Sequence, residues 1–168
     1  VGVLDIGSNT GHLLVVDAHG GAAPLPAYSH KQPLRLAEHL DESGAVDQVG
    51  IDALTSFVAE ALLVAEDKGC EDMIGFATSA VRDAANRTEF TEPAHALLDV
   101  APVVLSGPEE AEMSFAGAVI GAIGEPPFLV IDLGGGSTEF VYGADEVESG
   151  VSVDIGSGTV PGYLAHHL

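Results

Sequence analysis

The stretch that most limits how this chain can fold is Val130-Ile131-Asp132-Leu133-Gly134-Gly135-Gly136-Ser137-Thr138-Glu139-Phe140-Val141-Tyr142. The apolar run from Phe128 to Ile131 reads as a buried strand and ends in an acid, Asp132. Three glycines follow, then two hydroxyls, a carboxylate and a second apolar run. Strand, glycine turn, strand is the simplest reading. Consecutive amides in such a turn make a concave anion site, which bare glycine lets an anion approach closely. A carboxylate at its lip suits a divalent cation. Phosphate-gripping amides beside a metal-holding acid are parts for phosphoryl chemistry.

Nearly the same device opens the chain. Val3-Leu4-Asp5-Ile6-Gly7-Ser8-Asn9-Thr10 precedes the strand-like run Leu13-Leu14-Val15-Val16. Aligned without gaps, Asp5 falls on Asp132, Gly7 on Gly134, Thr10 on Ser137 and His12 on Glu139. A repeat of this kind predicts a duplicated unit, with two hairpin turns facing each other across a cleft. The competing reading is two unrelated hairpins that share Asp-x-Gly turn chemistry.

Charge narrows the partners. The net charge is −21, and the basic residues are Lys31, Arg35, Lys68, Arg82 and Arg87 alone. That balance argues against nucleic acid or an anionic membrane as a general partner. A polyanionic substrate needs metal ions and local amides to overcome the same repulsion. Most of the acids read as a solvated surface. The single cysteine, Cys70, excludes an internal disulfide and fits a reducing, cytoplasmic compartment. No signal peptide is visible, and no apolar run is expected to be long enough to span a membrane. The chain opens at Val1 inside a strand, without an initiator methionine, as a trimmed or domain-length piece would. Its 168 residues suffice for one good core or two small lobes.

Between the turns, residues 22–40 carry Pro24, Pro26 and Pro33 and predict a proline-interrupted edge strand. Apolar positions 54, 57, 58, 61, 62 and 65 predict an amphipathic helix over 52–68, stopped at Gly69. A strand over 72–77 leads to Thr78 or Ser79, either of which can cap a helix whose start would attract an anion. Arg82 lies within reach of that helix start, whereas Arg87 reads as a surface residue. A helix over 90–99, with Pro93 in its first turn, and a strand over 101–105 come next. Ser106 and Glu109 have capping-box spacing. Glu110 follows about 100° further round the helix. A carboxylate there, at a cleft mouth, is placed for general base work; a first-turn acid favoured by the helix dipole is the other reading. That helix is expected to run to about Gly121.

Later strands are expected at 128–132, 138–143 and 147–153. The third glycine turn, Asp154 to Thr159, has two readings, another phosphate-facing loop and, preferred, a strand-to-helix connection. Pro161 and Gly162 weaken a last helix, and His166 and His167 lack partners for a metal. The expected domains are 1–123 and 124–168, with a hinge near 120–126.

Asp5–Thr10, Thr78–Arg87, Ser106–Ala111 and Asp132–Glu139 together resemble the exopolyphosphatase/guanosine pentaphosphate phosphohydrolase family, over nearly the whole chain. The resemblance implies an α/β fold of actin-like, sugar-kinase-like (ribonuclease H-like) duplicated lobes, each a mixed sheet with flanking helices, the second lobe incomplete. It implies hydrolysis of the terminal phosphoanhydride of inorganic polyphosphate or of guanosine pentaphosphate, with Mg2+. Glu110 would then activate the attacking water. Asp132 and Glu139, with Asp5 as the counterpart of Asp132, would hold the metal. Gly7, Ser8 and Asn9, with Gly134, Gly135, Gly136 and Ser137, would grip phosphates, and Arg82 would bind substrate phosphate. A homodimer is implied for a full-length form. His12 departs from a position that is often arginine in the family, and Thr159-Val160-Pro161-Gly162 replaces an Arg-Leu-Thr-like sequence. Two other readings stay open: a non-catalytic sensor of polyphosphate or a guanosine alarmone, and a nucleotide-dependent phosphotransferase or ATPase of the same fold.

Overall fold

The chain folds around two sheets, each begun by one of the glycine hairpins. The structure, a computed structural model, describes residues 1–22, 25–98 and 102–158. Pro24, the end of the expected helix at Asp99, the start of the expected strand at Ala101, and everything from Thr159 to Leu168 lie outside the described residues.

The first sheet has the order β3-β2-β1-β4-β5. Its strands are β1 (Gly2–Ile6), β2 (Thr10–Val15), β3 (Tyr28–Pro33), β4 (Met73–Ala77) and β5 (Val103–Val104). β1 pairs antiparallel with β2 and parallel with β4, so the sheet is mixed. β3 is an edge strand, a position that suits Pro33 at its end. One sheet face buries Leu4, Ile6 and Leu13 against Leu54, Phe57, Val58 and Ala61 of α1 (Gln48–Asp67). Each such apolar side chain contributes about 1.5–3 kcal/mol on burial.

α1 begins four residues earlier than its apolar stripe suggested, because Asp47 caps it by accepting from the Gly50 amide at 2.9 Å. By length and mean hydropathy α1 is apolar enough to cross a membrane, contrary to expectation. Its stripe is the one that covers the first sheet.

α2 (Ser79–Arg82) is a single turn, and neither Thr78 nor Ser79 supplies a side-chain cap. Ser79 bonds the first hairpin instead, as described below. α3 (Thr88–Leu98) starts ahead of the expected position, which leaves Pro93 in its second turn rather than its first. α4 (Gly107–Val119) has the expected capping box: Ser106 Oγ accepts from the Glu109 amide, and Glu109 Oε2 accepts from the Ser106 amide.

The second sheet is an antiparallel meander of β6 (Phe128–Leu133), β7 (Thr138–Gly143) and β8 (Val147–Val153). Ala111 and Phe115 of α4 pack on Val141, with Phe128, Val130 and Val147 around them. α4 thus packs on the later strands, although the expected domain boundary at 123/124 falls after it. The apolar contacts change from one core to the other between Val104 and Ala111.

Candidate active site

Each hairpin is closed in the same way. The Gly7 amide donates to the Thr10 carbonyl at 2.9 Å, and the Gly134 amide donates to the Ser137 carbonyl at 3.0 Å. Two residues before each turn stands an aspartate, paired across the ladder: Asp5 with His12, Asp132 with Glu139. The repeat read from the letters is therefore a repeat of backbone geometry.

The two turns meet. A Cβ on Gly135 would come within 3.1 Å of the Asn9 amide nitrogen. One on Gly136 would come within 2.5 Å of Ser79 Oγ and 2.7 Å of Ser8 Oγ. Only glycine permits this approach. Ser8 and Ser79 are buried and share a 2.8 Å hydroxyl bond, and Ser8 Oγ also accepts from the Ala80 amide. The first turn is thereby tied to the start of α2.

The third glycine turn supports the second from behind. The Ser157 and Gly158 amides donate to the carbonyls of Gly134 and Gly135. A trans peptide sets its N–H opposite its C=O, so the amides of Gly135 and Gly136 are turned the other way. Among the described residues, the amides of Ser8, Asn9, Gly135 and Gly136 find no protein acceptor. Such paired rows of open amides suit an anion.

A cavity of about 160 Å³ lies where the turns converge. Asp5, Gly7, Ser8, Asn9, Glu110, Asp132, Gly134, Gly135 and Ser137 line it, with Thr10, Thr78 and Ser79 completing the wall. Gly136 and Arg82 stand behind that wall. Arg82 Nη1 donates to Glu110 Oε2 at 3.1 Å and to the Leu105 carbonyl at 3.1 Å, and its Nε reaches Asp83 at 3.3 Å. Glu139 also stands back. It is 1 % exposed and accepts from Ser152 Oγ at 2.8 Å. Asp132 accepts from Ser114 Oγ on α4.

These acids act on one another. Burial pushes the Glu110 carboxyl above its ordinary value; Glu139 and Asp132 add to that, while Arg82 opposes it. Burial raises Asp5 too, and Asp132 adds to the rise against the pull of His12 and Lys31. The excess negative charge and the hard oxygen donors suit Mg2+, which keeps several waters and takes one or two carboxylates along with substrate phosphates. Among the described residues no three acids, histidines or cysteines form a ready-made cage. Asp5 and Asp132 fit the sparser mode, and Glu139 would act through water or a shift of its side chain.

Sequence reasoning missed the Ser8–Ser79 bond, Ser152, and Ser114. Ser114 was detectable, since it stands four residues past Glu110 and so shares its helix face.

The model of the Ppx/GppA phosphatase family matches residues 10–162. Exopolyphosphatase 1 of Mycobacterium tuberculosis is 42 % identical over 165 residues, which cover 94 % of this chain and 46 % of that protein. A guanosine-5'-triphosphate,3'-diphosphate pyrophosphatase of Pseudoalteromonas atlantica is 34 % identical over 84 % of this chain and 28 % of its own. The crystal structure of an exopolyphosphatase from Cytophaga hutchinsonii superposes with a TM-score of 0.88 at 25 % identity, over 96 % of this chain and 52 % of that one. The chain spans about half the length of the exopolyphosphatases it matches or less. Its mixed first sheet, its antiparallel second sheet and the flanking helices are those of the actin-like fold, with the second lobe incomplete, and the chain belongs to the Ppx/GppA phosphatase family.

Proposed function

We propose that this protein hydrolyses the terminal phosphoanhydride bond of inorganic polyphosphate or of guanosine pentaphosphate. The observation that carries the proposal is the convergence of both hairpin turns, Glu110, Asp5 and Asp132 on one cavity.

The terminal phosphate enters that cavity, and its oxygens take the open amides of Ser8, Asn9, Gly135 and Gly136 and the Ser137 hydroxyl. Rigid donors of this kind stabilise charge that builds on the oxygens during in-line displacement. Asp132 and Asp5, with Glu139 behind, would hold Mg2+, which would supply charge neutralisation for the substrate phosphates. Glu110 takes a proton from the attacking water. At rest its carboxylate is paired with Arg82. An incoming phosphate competes for that guanidinium, and the partial release of Glu110 leaves it a stronger base. The lone thiol, Cys70, fits a cytoplasmic setting.

Phosphate release in the presence of Mg2+ tests the reading. Glu110→Gln should lower kcat on the order of a thousandfold while substrate still binds. Full activity in that variant ends the proposal. The resting Arg82–Glu110 pair is the observation that favours a sensor without turnover. Tight binding by calorimetry with no phosphate released from the unaltered protein would select that reading.

A further inference from the structure

The face of the second sheet that meets α4 buries one residue that packing does not call for. Side chains alternate along β7, so Glu139 and Val141 share that face. Val141 packs under Ala111 and Phe115 of α4. Glu139 is fully buried beside it. Among the described residues, no basic side chain lies within ion-pair distance of Glu139. A carboxylate enclosed in this way is costly unless a hydrogen bond holds it.

Ser152 supplies that bond. The ladder sets Ser152 across from Glu139 on one side, with Asp132 across from it on the other. Ser152 Oγ donates to Glu139 Oε1 at 2.8 Å. The start of α4 walls the serine in: a Cβ on Gly107 would lie 2.9 Å from Ser152 Cβ and 3.2 Å from its Oγ. The hydroxyl therefore has little room to turn away from the acid. Asp132, the neighbouring acid, is held in a similar manner by Ser114 of α4. Ser152 itself does not line the cavity. We propose that Ser152 is a positioning residue: it fixes the Glu139 carboxylate beside Asp132 and so sets how tightly the site holds a divalent cation. This rests on the reading of Asp132, Asp5 and Glu139 as the cation-holding acids. Groups that orient metal-holding side chains commonly change affinity about tenfold or more when removed.

The test reads cation binding directly. Mn2+ stands in for Mg2+, since both favour oxygen donors, and electron paramagnetic resonance of the unbound ion gives the affinity. Ser152→Ala should weaken Mn2+ binding about tenfold. Ser152→Thr keeps a hydroxyl on a residue that suits a strand, and should restore the affinity. In a Glu139→Gln background, Ser152→Ala should bring no further loss, because its effect passes through the carboxylate. A lower Tm for Ser152→Ala with Mn2+ affinity unchanged would make the hydroxyl a partner for folding alone and overturn the proposal. Losses that add in the double variant overturn it as well. Should Ser152→Ala fold poorly, Glu139→Asp draws the carboxylate back from the hydroxyl while keeping the charge. A comparable loss of Mn2+ affinity there supports the proposal, and unaltered affinity overturns it. If the unaltered protein binds Mn2+ but releases no phosphate, the hydrolase reading fails alone and the Mn2+ comparison still decides the role of Ser152. If it binds no Mn2+, the positioning role fails.

Discussion

The two hairpins share a backbone and differ in what they place on it. The first turn fills its tip with Ser8 and Asn9; the second leaves Gly135 and Gly136 bare. The difference is steric in origin. Both tips converge on one small cavity, and two sets of side chains cannot occupy the same space. The first turn keeps side chains that engage its neighbours, with Ser8 bonding Ser79 and Asn9 Nδ2 reaching Ser157 at 3.4 Å. The second gives up its Cβ atoms so that the first can approach. After the turns, His12 pairs with Asp5, whereas Glu139 pairs with Asp132. The two turns share one geometry, and each carries the residues that the other leaves room for.

The largest expected effect comes from making the tips alike. In Gly136→Ala the new methyl meets two buried hydroxyls at 2.5 and 2.7 Å. Overpacking of this kind costs about 1–3 kcal/mol, or several degrees of Tm, and should cut phosphate release by more than about a hundredfold by displacing the donors. Asn9→Ala, its opposite number, should leave Tm within about 2 °C. Equal penalties in thermal melts would remove the asymmetry argued here.

A smaller contrast separates the two aspartates. Ser114 orients Asp132, while burial makes Asp5 slower to ionise. Asp132→Asn should therefore raise the Mg2+ concentration for half-maximal activity about tenfold or more, and Asp5→Asn by less. The reverse order in a metal titration would mean that the first hairpin, not the second, carries the cation.

The smallest effect is on stability. Burial, then Glu139, raise Glu110 above its ordinary 4.5. The folded chain holds that proton to higher pH than the unfolded chain does. Stability is therefore lost as pH rises from 4.5 towards the raised value. Without divalent cations, Glu110→Gln should melt about 2 °C above the unaltered protein at neutral pH, and the two curves should merge below pH 4.5. A lower Tm for the variant at neutral pH would show that the Arg82 pair outweighs the burial penalty. Added Mg2+ should narrow the gap by stabilising the unaltered protein more.

The paired turns were legible in the sequence because a strand, an acid and a glycine turn are local patterns. The Ser106–Glu109 box and the α1 stripe were legible for the same reason. The Ser8–Ser79 bond was not, since it joins residues 71 apart in the chain and neither is unusual in its own neighbourhood. Thr78 and Ser79 read as caps because hydroxyls at a helix start usually are caps. Here a buried partner at the hairpin tip claimed one of them. The change of sheet at α4 was also hidden. A helix with an apolar stripe does not announce which of two sheets it will cover, and Ala111 and Phe115 would satisfy either.

That change of sheet has a mechanical result. Arg82 is built on the first sheet's side, and Glu110 rides on a helix fastened to the second. Their 3.1 Å contact therefore ties the two sheets together, and the carboxylate's position depends on both. A substitution in either core that shifts its own sheet is expected to reach Glu110 through this pair.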